Sequence, residues 1–291
     1  MDPSYHNAVL RVVDSGLGAW IQDRGRPGWR RFGVPSSGWM DAHAAECANR
    51  LLENESSSPV IELLLQGGKF EVLQDVWISI CGADVKCTIP TWRASHLEKR
   101  EVISFRENRS GVWIYLAVEG GFAVPEVFGS ASYCTRGKIG SVLTKNLILY
   151  RNNTARLQIP KQVAARLASW SDQRNYSQPP KIKVWSGPQW RGFSHADRHQ
   201  FLESEWTVTA QCDRVGYRLE GPKLTSTAPE IVSEPVRVGS IQIPESGRAI
   251  ITMKDGPTVG GYAKIAIIDP ADLSWVAQAR PGQKISFQLI A

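Results

Sequence analysis

The chain has 291 residues, of which 42% are hydrophobic and 21% charged, the ordinary balance of a soluble globular protein. Its net charge of +6 is spread along the sequence and accompanies no zinc finger or other recognition motif, so we expect no nucleic-acid site. A solvated basic surface, or a patch for an acidic substrate or subunit, explains the charge.

The first half of the chain has the pattern of a β protein. Strand-length runs occupy residues 8–14, 19–23, 59–66, 69–74, 76–84, 85–92, 101–107 and 111–122. The pair Gly67-Gly68 lies between two of these runs and predicts a hairpin. Short strands at close spacing, with turn residues between them, predict a β sandwich or barrel.

Residues 22–38 interrupt this pattern with glycines, prolines and several arginines. Glycine permits positive φ and proline fixes φ, so we expect a long, kinked, cationic loop. The short side chains of residues 41–52 then predict a helix that packs closely on its neighbours. Asp41 is its expected N-cap, because a carboxylate accepts the unpaired amides of the first turn.

Polar residues and Pro179-Pro180 dominate the stretch from 150 to 180. We therefore predict an N-terminal β-rich half at 1–150, a junction at 151–180 and a C-terminal β-rich half at 181–291. Within the last of these we expect a helix at 194–205 with Ser194 as N-cap, and another at 270–279 with proline in its first turn.

Five cysteines without a CxxC pair indicate neither a zinc site nor a disulfide framework. His195 and His199 stand four residues apart, but no third ligand is evident, so we expect no metal. The chain shows no signal peptide and no run of 18 apolar residues. The sequence therefore predicts a cytoplasmic protein that binds no membrane.

Three glycine-containing stretches lie beside acids and are predicted to be turns. They are Gly82-Ala83-Asp84, Glu119-Gly120-Gly121 and Asp255 with Gly260-Gly261-Tyr262. Glycine lets backbone amides approach an anion, and a neighbouring acid can act as general base. The turns of a β barrel also use Gly and Asp for structural reasons alone, so both interpretations stay open. No GxxxxGK[ST] loop occurs, and any ATP is not bound by a P-loop.

Longer motifs carry a resemblance over nearly the whole chain. They lie at residues 22–52 (QDRGRPGWRRFGVPSSGWMDAHAAECANRLL), 61–72, 81–84, 115–132, 213–224, 233–266 (with DGPTVGGYAKIA at its end) and 271–287. In this order they resemble the carboxyltransferase A/B family, also called the allophanate hydrolase subunit 2 family. The resemblance implies a mainly β protein of cyclophilin-like β-barrel architecture, in two β-rich halves with a few short helices.

The resemblance also implies a subunit of an enzyme. The expected function is an ATP-dependent amide hydrolase that opens 5-oxoproline to glutamate. The chain would be inactive alone and would pair with a subunit-B protein, while a third, A-type component completes the complex. A biotin-dependent carboxyltransferase, with biotin carried on another protein, is the alternative. A non-catalytic antagonist that binds a subunit-B-like kinase inhibitor is a third hypothesis.

By motif position the resemblance also implies the site residues. The expected catalytic residues are Asp84, Asp255, Arg26 and Arg214. The expected substrate-binding residues are Gln22, Asp23, Asp41, Asn49, Glu119, Gly120, Gly121, Arg218, Gln242, Thr258, Gly260, Gly261 and Tyr262. Arginines would bind a carboxylate or phosphate in bidentate fashion, an acid would orient the amide, and the Gly260-Gly261 amides would hold an oxyanion.

Two stretches depart from the family pattern. The glycine-rich loop after residue 132 is shorter than usual, and Asn146 replaces an expected Gly-Asp turn. Pro257 and Ala263 stand where the family has Gln and Pro, and losing an amide removes a donor and an acceptor. We therefore expect the fold to be kept and the activity or substrate to differ. We also expect residues 22–41 and 255–262 to share one groove.

Overall fold

A computed structural model describes residues 7–152, 157, 165–227 and 230–290. These residues divide into two compact units, each with its own sheet. The first unit contains residues 1–26, 37–133 and 138–175, and the second contains residues 27–36, 134–137 and 176–291. The predicted N-terminal half at 1–150, junction at 151–180 and C-terminal half at 181–291 stay predictions.

The first unit contains one helix and ten described strands. The strands are β1 (Ala8–Ser15), β2 (Ala19–Gln22), β3 (Val60–Leu64), β4 (Gly68–Val72), β5 (Val76–Cys87), β6 (Arg93–Leu97), β7 (Val102–Val118), β8 (Phe122–Ala123), β9 (Ile148–Arg151) and β10 (Ala165–Leu167). They pair in the order β10-β6-β5-β7-β4-β1-β9-β8, with β2 joined through β3 to β7. Strands β10, β6, β5, β7, β3 and β2 form a nearly closed, barrel-like sheet beside a buried hydrophobic core.

The hairpin predicted at Gly67-Gly68 is wrong. Strand β3 pairs with β2 and β7, whereas β4 pairs with β1 and β7. The reason is the length of β7, which joins two predicted runs into one strand of 17 residues. Its start pairs with β4 and its end with β3, so the chain changes partners at Gly67, where φ is +95°.

The stretch Gly82-Ala83-Asp84 is a strand and not the predicted turn. Strand β5 passes through it and the pairing with β7 shifts register between Gly82 and Asp84. Gly82 has φ of +108°, and a Cβ there would lie 2.4 Å from the carbonyl oxygen of Trp113. The glycine thus allows a β-bulge that bends the strand without ending it.

Helix α1 (Ala42–Leu51) confirms the predicted helix and its cap. The Asp41 carboxylate accepts a hydrogen bond from the Ala44 amide at 3.0 Å. The buried face consists of Ala44, Ala45, Cys47 and Ala48 together with larger residues at its end. The Ser79 hydroxyl donates to the Ala48 carbonyl at 2.6 Å, so the small side chains let the helix lie directly on β5.

The second unit contains two α-helices and nine described strands. They are β11 (Ile182–Ser186), α2 (His195–Glu203), β12 (Trp206–Cys212), β13 (Gly216–Glu220), β14 (Glu230–Pro235), β15 (Ser240–Ile243), β16 (Ile250–Thr252), β17 (Val259–Ile268), α3 (Leu273–Ala277), β18 (Lys284–Ile285) and β19 (Phe287–Leu289). The sheet order is β18-β12-β13-β16-β15-β17-β11-β19, with β14 on β17. All these pairs are antiparallel except β11 with β19.

The helices of this unit match the predictions in part. Ser194 caps α2 by accepting from the Asp197 amide at 3.0 Å, as predicted. Helix α3 is shorter than predicted and begins at Leu273, so Pro270 lies in the preceding turn and not in the helix. The amides of Asp272 and Leu273 donate to the Asp269 carbonyl. These bonds form a turn over residues 269–273, and the helix begins at its end.

The mainly β architecture, in two β-rich halves with a few short helices, is confirmed. Among the helices described, none has the length and hydropathy required to span a bilayer. The cytoplasmic location stays a prediction.

Candidate functional site

The second unit contains a cavity of about 1030 Å³. Five of the predicted substrate-binding residues line it: Arg218, Gln242, Gly260, Gly261 and Tyr262. Apolar side chains such as Ile250 and Val259 complete much of the wall. A mostly apolar cavity with a few convergent polar groups is typical of a small-molecule site.

Gly260 and Gly261 lie in strand β17, so the turn predicted for them is wrong. Their lack of a side chain lets neighbouring groups lie close to the strand backbone. A Cβ at Gly260 would meet the Gln242 Oε1 at 3.3 Å, and one at Gly261 would meet the Ile231 carbonyl oxygen at 3.0 Å. Glycine at these positions therefore keeps the cavity wall open beside Gln242.

The Gln242 side chain is 5% exposed and has a fixed orientation. Its Nε2 donates to the Thr252 hydroxyl at 2.8 Å. This bond uses the amide nitrogen, so Oε1 remains as an acceptor on the side of Gly260. The arrangement presents a neutral hydrogen-bonding group to a ligand in the cavity.

A smaller cavity of about 420 Å³ shares the lining residues Arg136, Pro257 and Val259 with the larger one. It is lined by residues Gly33, Pro35, Arg136, Gly137, Pro257, Thr258 and Val259. The segment 27–36 and the segment 257–259 thus face one cavity within the second unit. Arg30 fixes this contact, since its Nη2 donates to the carbonyl oxygens of Val236 and Pro257, the latter at 2.8 Å. Burial lowers the pKa of the Arg30 guanidinium below its usual value.

Arg214 and Asp255, predicted to be catalytic, form a buried ion pair. Arg214 Nε and Nη2 donate to the two carboxylate oxygens at 3.0 and 3.3 Å, with side chains 3% and 0% exposed. The Thr135 amide and hydroxyl also donate to this carboxylate, at 3.2 and 3.0 Å. The pair therefore holds residues 134–137 against the 253–258 loop.

The sequence prediction missed Arg136, which lines both cavities. Residues Gln211, Cys212, Thr252, Pro257 and Val259 of the larger cavity were missed as well. The one signal for Arg136 was its place in the loop that departs from the family pattern. Only the pairing of Thr135 with Asp255, far away in sequence, reveals where that loop lies.

A buried lysine supports the strand that carries Gly260 and Gly261. Lys264, 2% exposed, donates from Nζ to Glu234 Oε1 at 2.7 Å and to the Tyr262 carbonyl at 3.3 Å. The hydrogen bond from Lys264, with a second from Gln189, holds the pKa of Glu234 below its usual value. The pair ties β14 to β17 beside the cavity.

In the first unit, Asp23 is the centre of a buried hydrogen-bond cluster. Its carboxylate accepts from the hydroxyls of Ser130 and Ser132, both at 2.6 Å, and from the amides of Gly25 and Ala131, both at 2.7 Å. Arg26, fully buried, donates from Nη2 to the Ser132 carbonyl. These contacts fix the start of the cationic loop.

Gln22 lies beside this cluster and is also fully buried. Its Nε2 donates to the Tyr133 carbonyl at 2.8 Å, and its backbone carbonyl accepts from Trp39 Nε1 at 3.0 Å. No partner is described for the Gln22 Oε1.

Asp41 belongs to a second buried network of the first unit. The Tyr115 hydroxyl donates to Glu62 Oε2 at 2.8 Å and accepts from the Asp41 amide at 2.7 Å. Glu62 Oε2 also accepts from the Met40 amide at 2.8 Å. Burial, and then the charge of Glu62, raises the pKa of Tyr115 well above its usual value.

Of the remaining predicted residues of the first unit, Glu119 and Asn49 make contacts that hold loops. Glu119 pairs with Arg151 at 2.9 Å, both side chains 3% exposed, in the predicted turn that Gly120 and Gly121 complete. Asn49 donates to the Ser58 carbonyl at 2.9 Å. Asp84 is exposed on β5. Among the described residues no cluster of His, Cys, Asp and Glu is suited to hold a metal ion.

The sequence of the chain matches the model of one protein family over residues 32–289. That family is described as the carboxyltransferase domain, subdomain A and B. The chain belongs to this family.

Relatives of the carboxyltransferase domain family cover nearly the whole chain. The C subunit of the Haemophilus influenzae 5-oxoprolinase is 31% identical over 97% of this chain and 92% of its own length. The crystal structure of the protein TTHA0988 superposes with a TM-score of 0.87 at 31% identity, covering 97% of this chain and 55% of that one. The Kluyveromyces lactis urea carboxylase superposes with a TM-score of 0.87 at 28% identity, covering 98% and 28%. The chain thus spans about half of the first of these structures and a smaller part of the second.

Proposed function

We propose that this carboxyltransferase-family chain is the C component of a 5-oxoprolinase-like hydrolase, active only with its partner subunits. The observation that carries the proposal is the similarity to the C subunit of 5-oxoprolinase over almost the full length of both proteins. A relative of matching length indicates the same division of labour between subunits. We infer a subunit-B partner, an A-type component and a cytoplasmic location on the same grounds.

The cavity of about 1030 Å³ is the proposed substrate site. The ring of 5-oxoproline is a small cyclic amide with one donor and one acceptor. Gln242, the open wall at Gly260 and Gly261, and the apolar side chains of Ile250 and Val259 match such a ring in polarity. Tyr262, 46% exposed, closes one side.

Arg214 and Asp255 are proposed to act through position and not by touching substrate. Their hydrogen bonds to each other and their burial occupy both the guanidinium and the carboxylate, so neither group is offered to the cavity as a base or a clamp. Instead, the pair and Thr135 keep the cavity wall in one geometry, and such preorganisation is a large part of catalysis.

The residues of the cavity do not fit ATP. Of the two arginines on its wall, Arg218 already donates to Gln211 at 2.6 Å, and Asp213 adds a negative charge to the same lining. A triphosphate needs a concentrated set of donors and cations. We therefore assign ATP to another component of the complex.

A biotin-dependent carboxyltransferase is the second candidate, and the superposition on urea carboxylase favours it. The neutral ureido ring of biotin fits Gln242 and the apolar wall at Ile250, Val259 and Tyr262. Biotin would supply a carrier for a carboxyl group, attached to another protein. Pro257 and Ala263 favour a third candidate, a regulatory antagonist of a subunit-B-like protein, since both depart from the family pattern.

The test is to purify the chain with its subunit-B neighbour, with and without the A-type component, and to measure ATP-dependent glutamate release from 5-oxoproline. We expect turnover only from the complete complex. Gln242→Ala should lower kcat/KM at least about tenfold, since removing one aligned polar group costs this much or more. Gln200→Ala, at an exposed position of α2, is the matched control. An intact complex that releases no glutamate contradicts the hydrolase, and urea-dependent consumption of carboxybiotin supports the second candidate.

A further inference from the structure

Arg136 lies on the wall that the two cavities of the second unit share. It lines both of them, together with Pro257 and Val259. Its backbone is fixed on both sides, because Thr135 donates twice to Asp255 and the Gly137 amide donates to Cys134 Sγ at 3.3 Å. An exposed side chain thus extends from an anchored segment.

The guanidinium of Arg136 is not paired with a carboxylate in the part of the chain that the structure describes, although Asp213 lines the larger cavity with it. No ion pair or hydrogen bond of its guanidinium occurs in that part of the chain, whereas Arg214 pairs with Asp255 and Arg218 bonds to Gln211. Arg30 contacts only two carbonyl oxygens and the Ser36 hydroxyl among the described residues. Arg30 and Arg136 therefore both lie against residues 257–259, and neither has a carboxylate partner among the described residues.

The smaller cavity has the size and lining of an anion subsite. No Asp or Glu is among its described lining residues, and its volume of about 420 Å³ exceeds that of a carboxylate. A Cβ added at Gly33 would meet nothing within 4 Å, so this side has open space. The half-buried Thr258 hydroxyl supplies a neutral donor beside Arg136. A guanidinium with a hydroxyl is a suitable donor set for a carboxylate.

We propose that Arg136, with Thr258, binds the carboxylate of an anionic cyclic amide whose ring lies in the larger cavity. This inference rests on the proposed hydrolase function and names its substrate class. It separates 5-oxoproline, which carries a carboxylate, from neutral amides such as urea. Arg136 is then a specificity-determining residue of the site.

The experiment compares two ligands that differ only in the carboxylate, 5-oxoproline and 2-pyrrolidinone. Their affinities for the complete complex are measured by calorimetry for the wild type and for Arg136→Gln. We expect the substitution to weaken 5-oxoproline binding by about 10- to 150-fold, the usual worth of hydrogen bonds to a charged group. Affinity for 2-pyrrolidinone should not change.

Three further variants sharpen the test. Arg136→Lys should recover part of the lost affinity, since it keeps the charge but not the planar fork. Thr258→Val should weaken 5-oxoproline binding by a smaller factor, about 2- to 10-fold, as expected for one hydroxyl. Arg191→Gln, at an exposed position of the same unit, should match the wild type for both ligands.

Equal affinity of the wild-type complex for the two ligands, or no binding of either, would overturn the subsite. So would an Arg136→Gln complex that keeps the wild-type preference. Turnover separates this failure from failure of the proposed function. If the wild-type complex releases glutamate but Arg136→Gln keeps the wild-type ligand preference, the subsite alone is refuted. If Arg136→Gln loses the preference but the wild-type complex releases no glutamate, the hydrolase alone is refuted.

Discussion

Asp255→Asn removes one charge from an ion pair whose side chains are 3% and 0% exposed. The Asp255 carboxylate accepts two hydrogen bonds from Arg214 and two from Thr135. Asparagine has a single acceptor oxygen and leaves Arg214 buried without a counter-charge. Loss of one partner of a buried pair costs about 3–5 kcal/mol in the free energy of unfolding. At roughly 2–4 °C per kcal/mol, the melting temperature should fall by about 6–20 °C.

The assay is urea unfolding followed by tryptophan fluorescence, with scanning calorimetry for the melting temperature. Glu205→Gln is the control, because it breaks an ion pair of 2.7 Å whose side chains are both 63% exposed. Exposed pairs contribute at most about 1 kcal/mol, so this variant should stay close to the wild type. The double variant Arg214→Gln with Asp255→Asn should recover part of the loss, since it removes the uncompensated charge. If Asp255→Asn is no less stable than Glu205→Gln, the assignment of Asp255 as a buried anchor is refuted.

Three other variants test the surroundings of the site. Gly260→Ala places a Cβ 3.3 Å from Gln242 Oε1 and should reduce kcat/KM of the complex several-fold, whereas Gly192→Ala, which meets only contacts of 3.6 Å, should leave it unchanged. Tyr115→Phe should cost about 1–3 kcal/mol by leaving buried partners unpaired. Since its pKa is raised on folding, the wild type should lose stability as pH rises above about 10, and alkaline titration followed by circular dichroism should show this component missing in Tyr115→Phe. Glu234→Gln should cost about 1–2 kcal/mol, less than a fully buried pair because Glu234 is 36% exposed. Its folded pKa is lowered from 4.5, so the contribution is present above that pH and is lost on acidification, and urea midpoints measured between neutral and acidic pH should converge for the two proteins.

Local sequence patterns predicted the elements that depend on neighbouring residues. The N-caps Asp41 and Ser194 were predicted because a short polar side chain at the start of a helix satisfies the first amides whatever the fold. Most strand-length runs were found for a similar reason, since alternation and turn residues act within a few positions. The family and its mainly β fold were recognised from long motifs in the correct order.

Pairing between strands was decided by the tertiary structure. The hairpin at Gly67 failed because β7 extends through Gly111 and offers a partner to both β3 and β4. Gly82 and Gly260 were expected in turns, but a glycine within a strand serves equally for a bulge or for the close approach of another group. The sequence alone does not distinguish these uses, because the atom that a Cβ would meet is distant in the chain.

The sequence by itself determined which residues are special: the arginines, glycines and acids of the family motifs, and the mainly β class that carries them. Only the tertiary structure decided what each does. It paired Arg214 with Asp255 through a contact between residues 41 positions apart, and it placed Arg136 in the cavity through Thr135. Ion pairs and cavities depend on side chains brought together by folding, and no local pattern records which distant residue will supply the partner.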